Sequence, residues 1–338
     1  MTRNYGLDLL KTICAFLVIC IHAPFPDLAG DILTPLARIA VPLFFMITGY
    51  YYSHTKERQK EKKQIVKIFK LFASANILYI FWSFVKAFIS GESVTAFISN
   101  TFSVKSILQF VLFNESPFSG HLWYLGAILY VLVIIFLFEK KWSRQKLYPL
   151  IPVLLLLDLA LGKYSLLLFG QSVPFVFIRN FICVGLPYFL IGDMLKTRNI
   201  RMKPAKSALL SVVFVITTLA ERFVLGYFNV NATRDHYIST TLLAVSLFLL
   251  ALHFSGKPNN RIHKSLCHTG ANLSSGIYIL HPIFIVIISK AVEFISRYIN
   301  LSVVYSYTAP FVVMIVTTVA IWVYKLITNK IKTKKSAK

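Results

Sequence analysis

Acidic residues are scarce in this chain: 13 Asp and Glu stand against 36 Lys and Arg, and charged residues of both signs make up only 14% of 338. A soluble domain wets its surface with about a quarter charged residues, so this shortage, together with 57% apolar and 15% aromatic side chains, excludes an ordinary soluble globular protein. Cysteine is sparse too. Cys14, Cys20, Cys183 and Cys267 show no paired spacing, and three of them fall in apolar segments where a thiol packs as a small hydrophobe. Neither a disulfide framework nor a zinc site follows. There is no long internal repeat and no low-complexity linker. The first apolar segment lacks an A-x-A-like cleavage site, so it reads as a retained span and not as a signal peptide.

What the chain does have is a succession of apolar runs, each long enough to cross a hydrocarbon core of about 30 Å. They lie near 7–26, 33–54, 68–90, 121–138, 147–161, 173–195, 208–224, 237–254, 271–292 and 307–327. The expected fold is therefore all-α, a polytopic membrane bundle of about ten transmembrane helices over residues 1–328, followed by a basic tail at 329–338. The span at 147–161 is short and contains Pro149 and Pro152, which leaves its limits open. Connections 56–67, 139–146, 196–207 and 256–264 and the tail hold most of the Lys and Arg. The alternate connections hold only Lys105, Lys163, Arg234 and Arg297. By the positive-inside rule both termini are cytoplasmic. The largest outer connection, 91–120, includes an amphipathic stretch around SVKSILQFVLF.

A net charge of +23 would suit nucleic acid, but the basic residues sit in short loops beside spans, where topology already accounts for them, and no nucleic-acid partner is expected. The stretch KERQKEKKQIVK at 56–67 stands apart because Lys67 and Lys70 continue it into the third span on one face. Two partners fit it equally: anionic membrane lipid and a cytoplasmic polyphosphate.

A charge at mid-membrane costs on the order of 3 kcal/mol, so ionisable residues within spans mark function or buried pairs. The first span holds three on one helix face: Asp8, Lys11 and His22. From Lys11 to His22 is three turns plus roughly 20°, or about 16 Å along the axis, and Asp8 lies one turn before Lys11. A polar stripe of that length lines a route. An intramembrane imidazole accepts a proton at neutral pH, which makes His22 a candidate general base, although a lone histidine equally serves as glue between helices.

Arg38 in LARIAVPLFFMITGYYY and Arg179 in FVFIRNFICVGLPYF fall in the outer parts of descending spans, at about the depth of His22. Either can bind a carboxylate or phosphate or stabilise an oxyanion, and either can instead pair with Asp158 or a lipid headgroup. His121, Trp123 and Tyr124 open the fourth span, where an aromatic belt explains the Trp and Tyr as well as a site does. In SSGIYILHPIF, His281 stands one turn after Tyr278, beside Pro282. A second polar wall and a proline kink with a satisfied histidine are both open readings. Glu221, Arg222 and Lys290 are near enough to helix ends to snorkel, and Asp193 sits at the cytoplasmic boundary.

Taken in order, these segments resemble the membrane acyltransferase-3 family, bacterial proteins that O-acylate extracytoplasmic glycans and related acceptors. The likeness runs over essentially the whole chain. GLDLLKTICAFLVICIHA matches a basic residue and a histidine with ten residues between, here Lys11 and His22. RIAVPLFFMITGYY resembles the family's second helix, HLWYL its fourth and IYILHPIF its penultimate one. Within the family the chain most resembles the subgroup containing the membrane half of VanT-type serine racemases, in RIAVPLFFMITGYY and in the Arg179–Asn180 pair. That half is implicated in serine handling, and the sequence holds no counterpart of the racemase domain.

The resemblance implies a ten-helix bundle in the bacterial cytoplasmic membrane that moves an acyl group, most simply acetyl, from cytoplasmic acyl-CoA to an extracytoplasmic glycan or lipid-linked saccharide. It implies His22 as base or acyl carrier, with Lys11 beside the acyl route and Asp8 setting the polar path. Arg38 and Arg179 become pocket residues, His121, Trp123, Tyr278 and His281 further substrate contacts, and Lys67 and Lys70 the CoA contacts. The family more often has arginine at positions 11, 67 and 70, and lysine is the less specific phosphate clamp. No metal is implied. Short outer loops leave room for a separate extracytoplasmic partner. The alternative of another class is a serine-type amino-acid transporter using the same stripe, against which the lack of an internal repeat argues.

Overall fold

The computed structural model describes residues 3–52, 58–91, 93–230 and 236–336; Lys56 of the basic stretch, Arg234 and Lys338 of the tail lie outside the described residues. The described residues form helices and turns with no strand among them. In chain order the α-helices are α1 (Tyr5–His22), α2 (Asp27–Ala37), α3 (Ala40–Tyr52), α4 (Arg58–Ser90), α5 (Val94–Thr101), α6 (Val104–Phe113), α7 (Trp123–Phe138), α8 (Leu150–Leu161), α9 (Ser165–Phe169), α10 (Leu186–Thr197), α11 (Pro204–Tyr227), α12 (Ile238–His253), α13 (Arg261–Asn272), α14 (Ser274–Ile295) and α15 (Ser302–Ser336).

Among the described residues, seven stretches are long and apolar enough to cross a membrane: Tyr5–His22, Asp27–Tyr52, Gln59–Ile89, Gly120–Phe138, Pro204–Tyr227, Ser274–Ile295 and Ser302–Asn329. Each coincides with an expected span. α8 and α12 are shorter apolar helices at two further expected positions. The expected span at 173–195 is not one helix: a 3-10 turn at Phe175–Phe177 leads through Arg179 into a π-turn at Phe181–Gly185 before α10 begins.

Proline explains two of the breaks. Pro42 cannot donate to the carbonyl of Arg38, and its ring crowds that group, so the helix interrupts at Arg38–Ile39 between α2 and α3. Pro187, at the start of α10, likewise frees a carbonyl in the π-turn. Irregular backbone at membrane depth requires internal partners, and two buried asparagines supply them. Asn180 Oδ1 accepts from the N–H groups of Ile182 and Cys183. Asn114, in the left-handed region at φ 58°, accepts from the Phe181 N–H at 3.1 Å and donates to the Trp123 carbonyl at 3.0 Å. Asn114→Ala should destabilise the protein by about 2 kcal/mol by leaving a buried amide unmet and straining φ. Asn114→Gly, which loses the same hydrogen bonds but adopts the positive φ without strain, should be less destabilising than Asn114→Ala, as read by thermal melts in detergent.

The chain divides into two compact units, residues 1–40, 202–219 and 239–338 in the first and 41–201 and 220–238 in the second. In the first unit α1 is the hub, packed most extensively on α13 and also on α2, α14 and α15, while α14 lies along α15. Glycine sets these approaches. A Cβ at Gly6 would fall 1.9 Å from the Ala251 carbonyl oxygen of α12, and one at Gly270 would fall 1.8 Å from that of Asp8. In the second unit α4 packs on α7, and α7, α8 and α10 surround the π-turn. α3 crosses α10 through a reciprocal glycine contact. A Cβ at Gly49 would meet the Phe189 carbonyl at 2.0 Å, and one at Gly192 the Met46 carbonyl at 1.9 Å. Lipid offers helices no hydrophobic drive to associate, so such close backbone contact is a main source of cohesion.

Candidate functional site

α1 starts with an asparagine cap, Asn4, whose side chain accepts from the Leu7 N–H at 3.0 Å. One turn on, Asp8 is buried with 4% exposure. Its carboxylate is held from two sides. Arg3 Nε donates to Oδ2 at 2.6 Å, and Lys11 Nζ donates to Oδ1 at 3.3 Å. The Arg3 guanidinium also reaches the Cys267 carbonyl of α13 at 3.3 Å, and Thr12 donates to the Leu266 carbonyl at 2.6 Å. The hydrogen bond to Asp8 raises the Arg3 pKa. The expected Asp8–Lys11 pair is present, and Arg3, absent from the sequence reading, completes it as a cation–anion–cation cluster at the basic end of α1. Its only signal was a guanidinium five residues ahead of an intramembrane aspartate.

His22 is the last residue of α1, exposed, at the opposite end of the helix. The structure places its ring 5.1 Å from that of His281, centroid to centroid, at an interplanar angle of 49°. His281 is fully buried in α14, and its Nδ1 lies 3.0 Å from the Ile277 carbonyl. A carbonyl only accepts, so Nδ1 is the donor and carries a proton. His281 thus stands beside Pro282 with Nδ1 hydrogen-bonded to its own helix and its ring against that of His22. The Tyr278 ring lies 6.3 Å from His281. Arg38 belongs to the same unit and caps α2 at the break made by Pro42, partly exposed.

The remaining candidates lie in the second unit. Arg179 is not in a spanning helix as expected but in the turn before the π-turn, because Pro174, Asn180 and Pro187 prevent a continuous helix there. Its guanidinium stacks 3.9 Å over the Phe175 ring. Burial raises the Glu115 carboxyl, against the opposing pull of Arg179 and Lys105. His121 is buried in the 3-10 turn Gly120–Leu122, its Nδ1 2.7 Å from Ser119 Oγ and its ring edge-on to Tyr79 at 4.9 Å. Trp123 begins α7 with its ring 6.4 Å from Phe45. Lys67 and Lys70 are exposed on α4, and Lys63 precedes them by one turn on the same face. Three ammonium groups within two turns are a donor set suited to phosphate.

Asp158 pairs with His236. Its Oδ2 lies 2.7 Å from His236 Nδ1, with both side chains buried. Beside them the fully buried Lys163 ammonium stands 3.7 Å above the Tyr237 ring, and Tyr164 donates to Glu221 at 2.7 Å. Glu221 in turn accepts from the Ile238 N–H at 3.0 Å, which places a carboxylate at the start of α12. These links stitch the end of α8 to residues 221–238. At the basic end of the unit, Arg144 bridges Glu139 at 2.6 Å and Asp193 at 2.9 Å, and Tyr148 donates to Asp193 at 2.7 Å. Burial raises the Glu139 carboxyl despite Arg144.

The pattern of a family described as an acyltransferase domain matches residues 4–326. The chain belongs to this acyltransferase-3 family. An amino-acid racemase of Enterococcus faecalis is 27% identical over 328 residues, 88% of this chain and 42% of the relative. A serine/alanine racemase of Enterococcus gallinarum is 26% identical over 301 residues, 83% of this chain and 40% of the relative. A further Enterococcus faecalis amino-acid racemase is 24% identical over 277 residues, 76% of this chain and 37% of the relative. The chain thus spans about two-fifths of the length of these relatives, and they bear out the racemase-linked resemblance. No solved structure is significantly similar to it.

The imidazole pair and the Asp8 cluster stand at opposite ends of α1. His22 is exposed at the C-terminal end of α1. Asp8 lies about 21 Å from His22 along the axis and Lys11 about 16 Å.

Proposed function

We propose that the chain is a multi-pass O-acyltransferase, in its simplest form an O-acetyltransferase, of the bacterial cytoplasmic membrane. It has ten passes and both termini in the cytoplasm, and its acceptor is an extracytoplasmic glycan or lipid-linked saccharide. Acyl-CoA supplies the activated acyl carbon as a thioester. Lys67 and Lys70 hold its phosphates at the basic face, and Asp8, Lys11 and Arg3 fix the charge at that end of α1. His22 accepts the acceptor hydroxyl's proton as its oxygen attacks the acyl carbon; the thioester C–S bond breaks and CoA leaves as the thiol, taking up that proton, or His22 itself first displaces CoA thiol to carry the acyl group and then passes it to the hydroxyl. Arg38 or Arg179 orients the acceptor, with His121, Trp123 and Tyr278 as further contacts. The observation that carries this reading is an exposed imidazole against a buried, hydrogen-bonded one, within an acyltransferase domain covering nearly the whole chain. A separate extracytoplasmic protein completes the transfer where the acceptor is soluble.

Membranes containing the protein, incubated with acetyl-labelled CoA, should transfer label to saccharide, and His22→Ala membranes should not. Serine uptake that proceeds without CoA, with no label transferred, overturns the proposal in favour of a transporter.

A further inference from the structure

α4 and α7 enclose a wholly apolar groove of about 400 Å³ on the surface of the second unit, lined by Ile65, Val66 and Phe69 on one side and Leu129, Val133 and Ile134 on the other. The helices run antiparallel. Tyr79 meets His121, Phe72 meets the position of Gly126, and Glu61 acts electrostatically on Glu139, so rising numbers on α7 face falling numbers on α4. One end of the groove therefore opens between the start of α4 and the end of α7, where the exposed lysines gather.

Those lysines are sorted by helix face. Lys62 precedes Ile65, Val66 and Phe69 by three, four and seven residues, so it stands on the groove's own face, one turn beyond its mouth. Lys63, Lys67 and Lys70 follow one another at four and three residues on a face about 120° away. Across the groove, exposed Lys140 and Lys141 follow the last turn of α7, with Trp142 half exposed beside them. An apolar slot with Lys62, Lys140, Lys141 and Trp142 one to two turns beyond its lining, where Glu61 is buried and Glu139 is neutralised by Arg144, keeps an excess of positive charge suited to an anionic amphiphile. Its volume lies in the range of about 300–1,000 Å³ found for small-ligand sites.

We propose that this groove is a specific binding site for one anionic glycerophospholipid, with an acyl chain between α4 and α7 and the phosphate held by Lys62, Lys140 and Lys141. The basic stretch at the start of α4 thereby serves two anions on two faces, the lipid phosphate through Lys62 and a separate polyphosphate through Lys63, Lys67 and Lys70. The lipid site stands on its own observations and holds whichever reaction the protein performs.

The test is native mass spectrometry of the purified full chain in neutral detergent with phosphatidylglycerol and phosphatidylcholine of identical acyl chains. At about 1 kcal/mol per lysine near an anionic headgroup, the parent should retain phosphatidylglycerol about tenfold or more over phosphatidylcholine. The K62Q/K140Q/K141Q variant should bring that ratio to near unity, and the K63Q/K67Q/K70Q variant should leave it in place. Filling the slot with Val66→Phe and Val133→Phe should lower retention of both lipids alike. Equal retention by the parent overturns the proposal. So does a preference that survives loss of Lys62, Lys140 and Lys141, or one that disappears with Lys63, Lys67 and Lys70 instead.

Discussion

His22→Ala should reduce acyl transfer by about 10²- to 10⁴-fold, the usual contribution of a positioned general base, while the protein keeps its fold. Two features of the structure make those outcomes separable. His22 is exposed at the last position of α1, so its removal deletes no core side chain and should change stability by no more than about 0.5 kcal/mol. The ring it faces, His281, is anchored independently by its own hydrogen bond to Ile277, so the neighbouring wall should stay in place. Initial rates with labelled acetyl-CoA, set beside thermal melts of the same preparations, distinguish loss of chemistry from loss of structure. His22→Gln should be nearly as inactive as His22→Ala, because an amide fills the space and accepts hydrogen bonds but takes up no proton at neutral pH. A variant rate within threefold of the parent removes His22 from the mechanism.

The long spans were legible because hydrophobicity is a local property: α1, α4, α7, α11, α14 and α15 all coincide with apolar runs. What a hydropathy reading passes over is backbone chemistry. Pro42 and Pro187 were visible in the sequence, yet only their effect on the carbonyls four residues earlier explains the break at Arg38 and the turn that carries Arg179. The Asp8–Lys11 pair was legible because it lies within one helix turn. Arg3 was not, because its position depends on α13 presenting the Cys267 carbonyl. His22 and His281, 259 residues apart in sequence, were each singled out as ionisable groups inside apolar runs, and only the fold shows them ring to ring. Asp158 was marked as an ionisable group with an open partner, but nothing local pointed to His236, nor from Lys163 to Tyr237, because each pair joins segments more than 70 residues apart.

Gly270→Ala should be the most damaging single methyl group placed in the first unit. A Cβ there would lie 1.8 Å from the Asp8 carbonyl oxygen and 2.8 Å from Thr12 Oγ1, and the first of these is backbone inside a regular helix, which cannot turn aside as a side chain would. α13 must therefore move off α1. That motion stretches the 2.6 Å hydrogen bond from Thr12 to Leu266 and pulls the Cys267 carbonyl from Arg3, which frees one of the two cations holding the buried Asp8. Overpacking alone costs about 1–3 kcal/mol, and loosening a buried carboxylate's partner adds to it, so a loss of about 3 kcal/mol or more is expected. The melting temperature in detergent should fall by on the order of 5 °C. Gly276→Ala is the control: its Cβ would meet only the Ile321 side chain at 3.0–3.3 Å, and a flexible isoleucine can give way. If Gly270→Ala melts with the parent while Gly276→Ala does not, the close approach of α13 to α1 is not what holds Asp8 in its cluster.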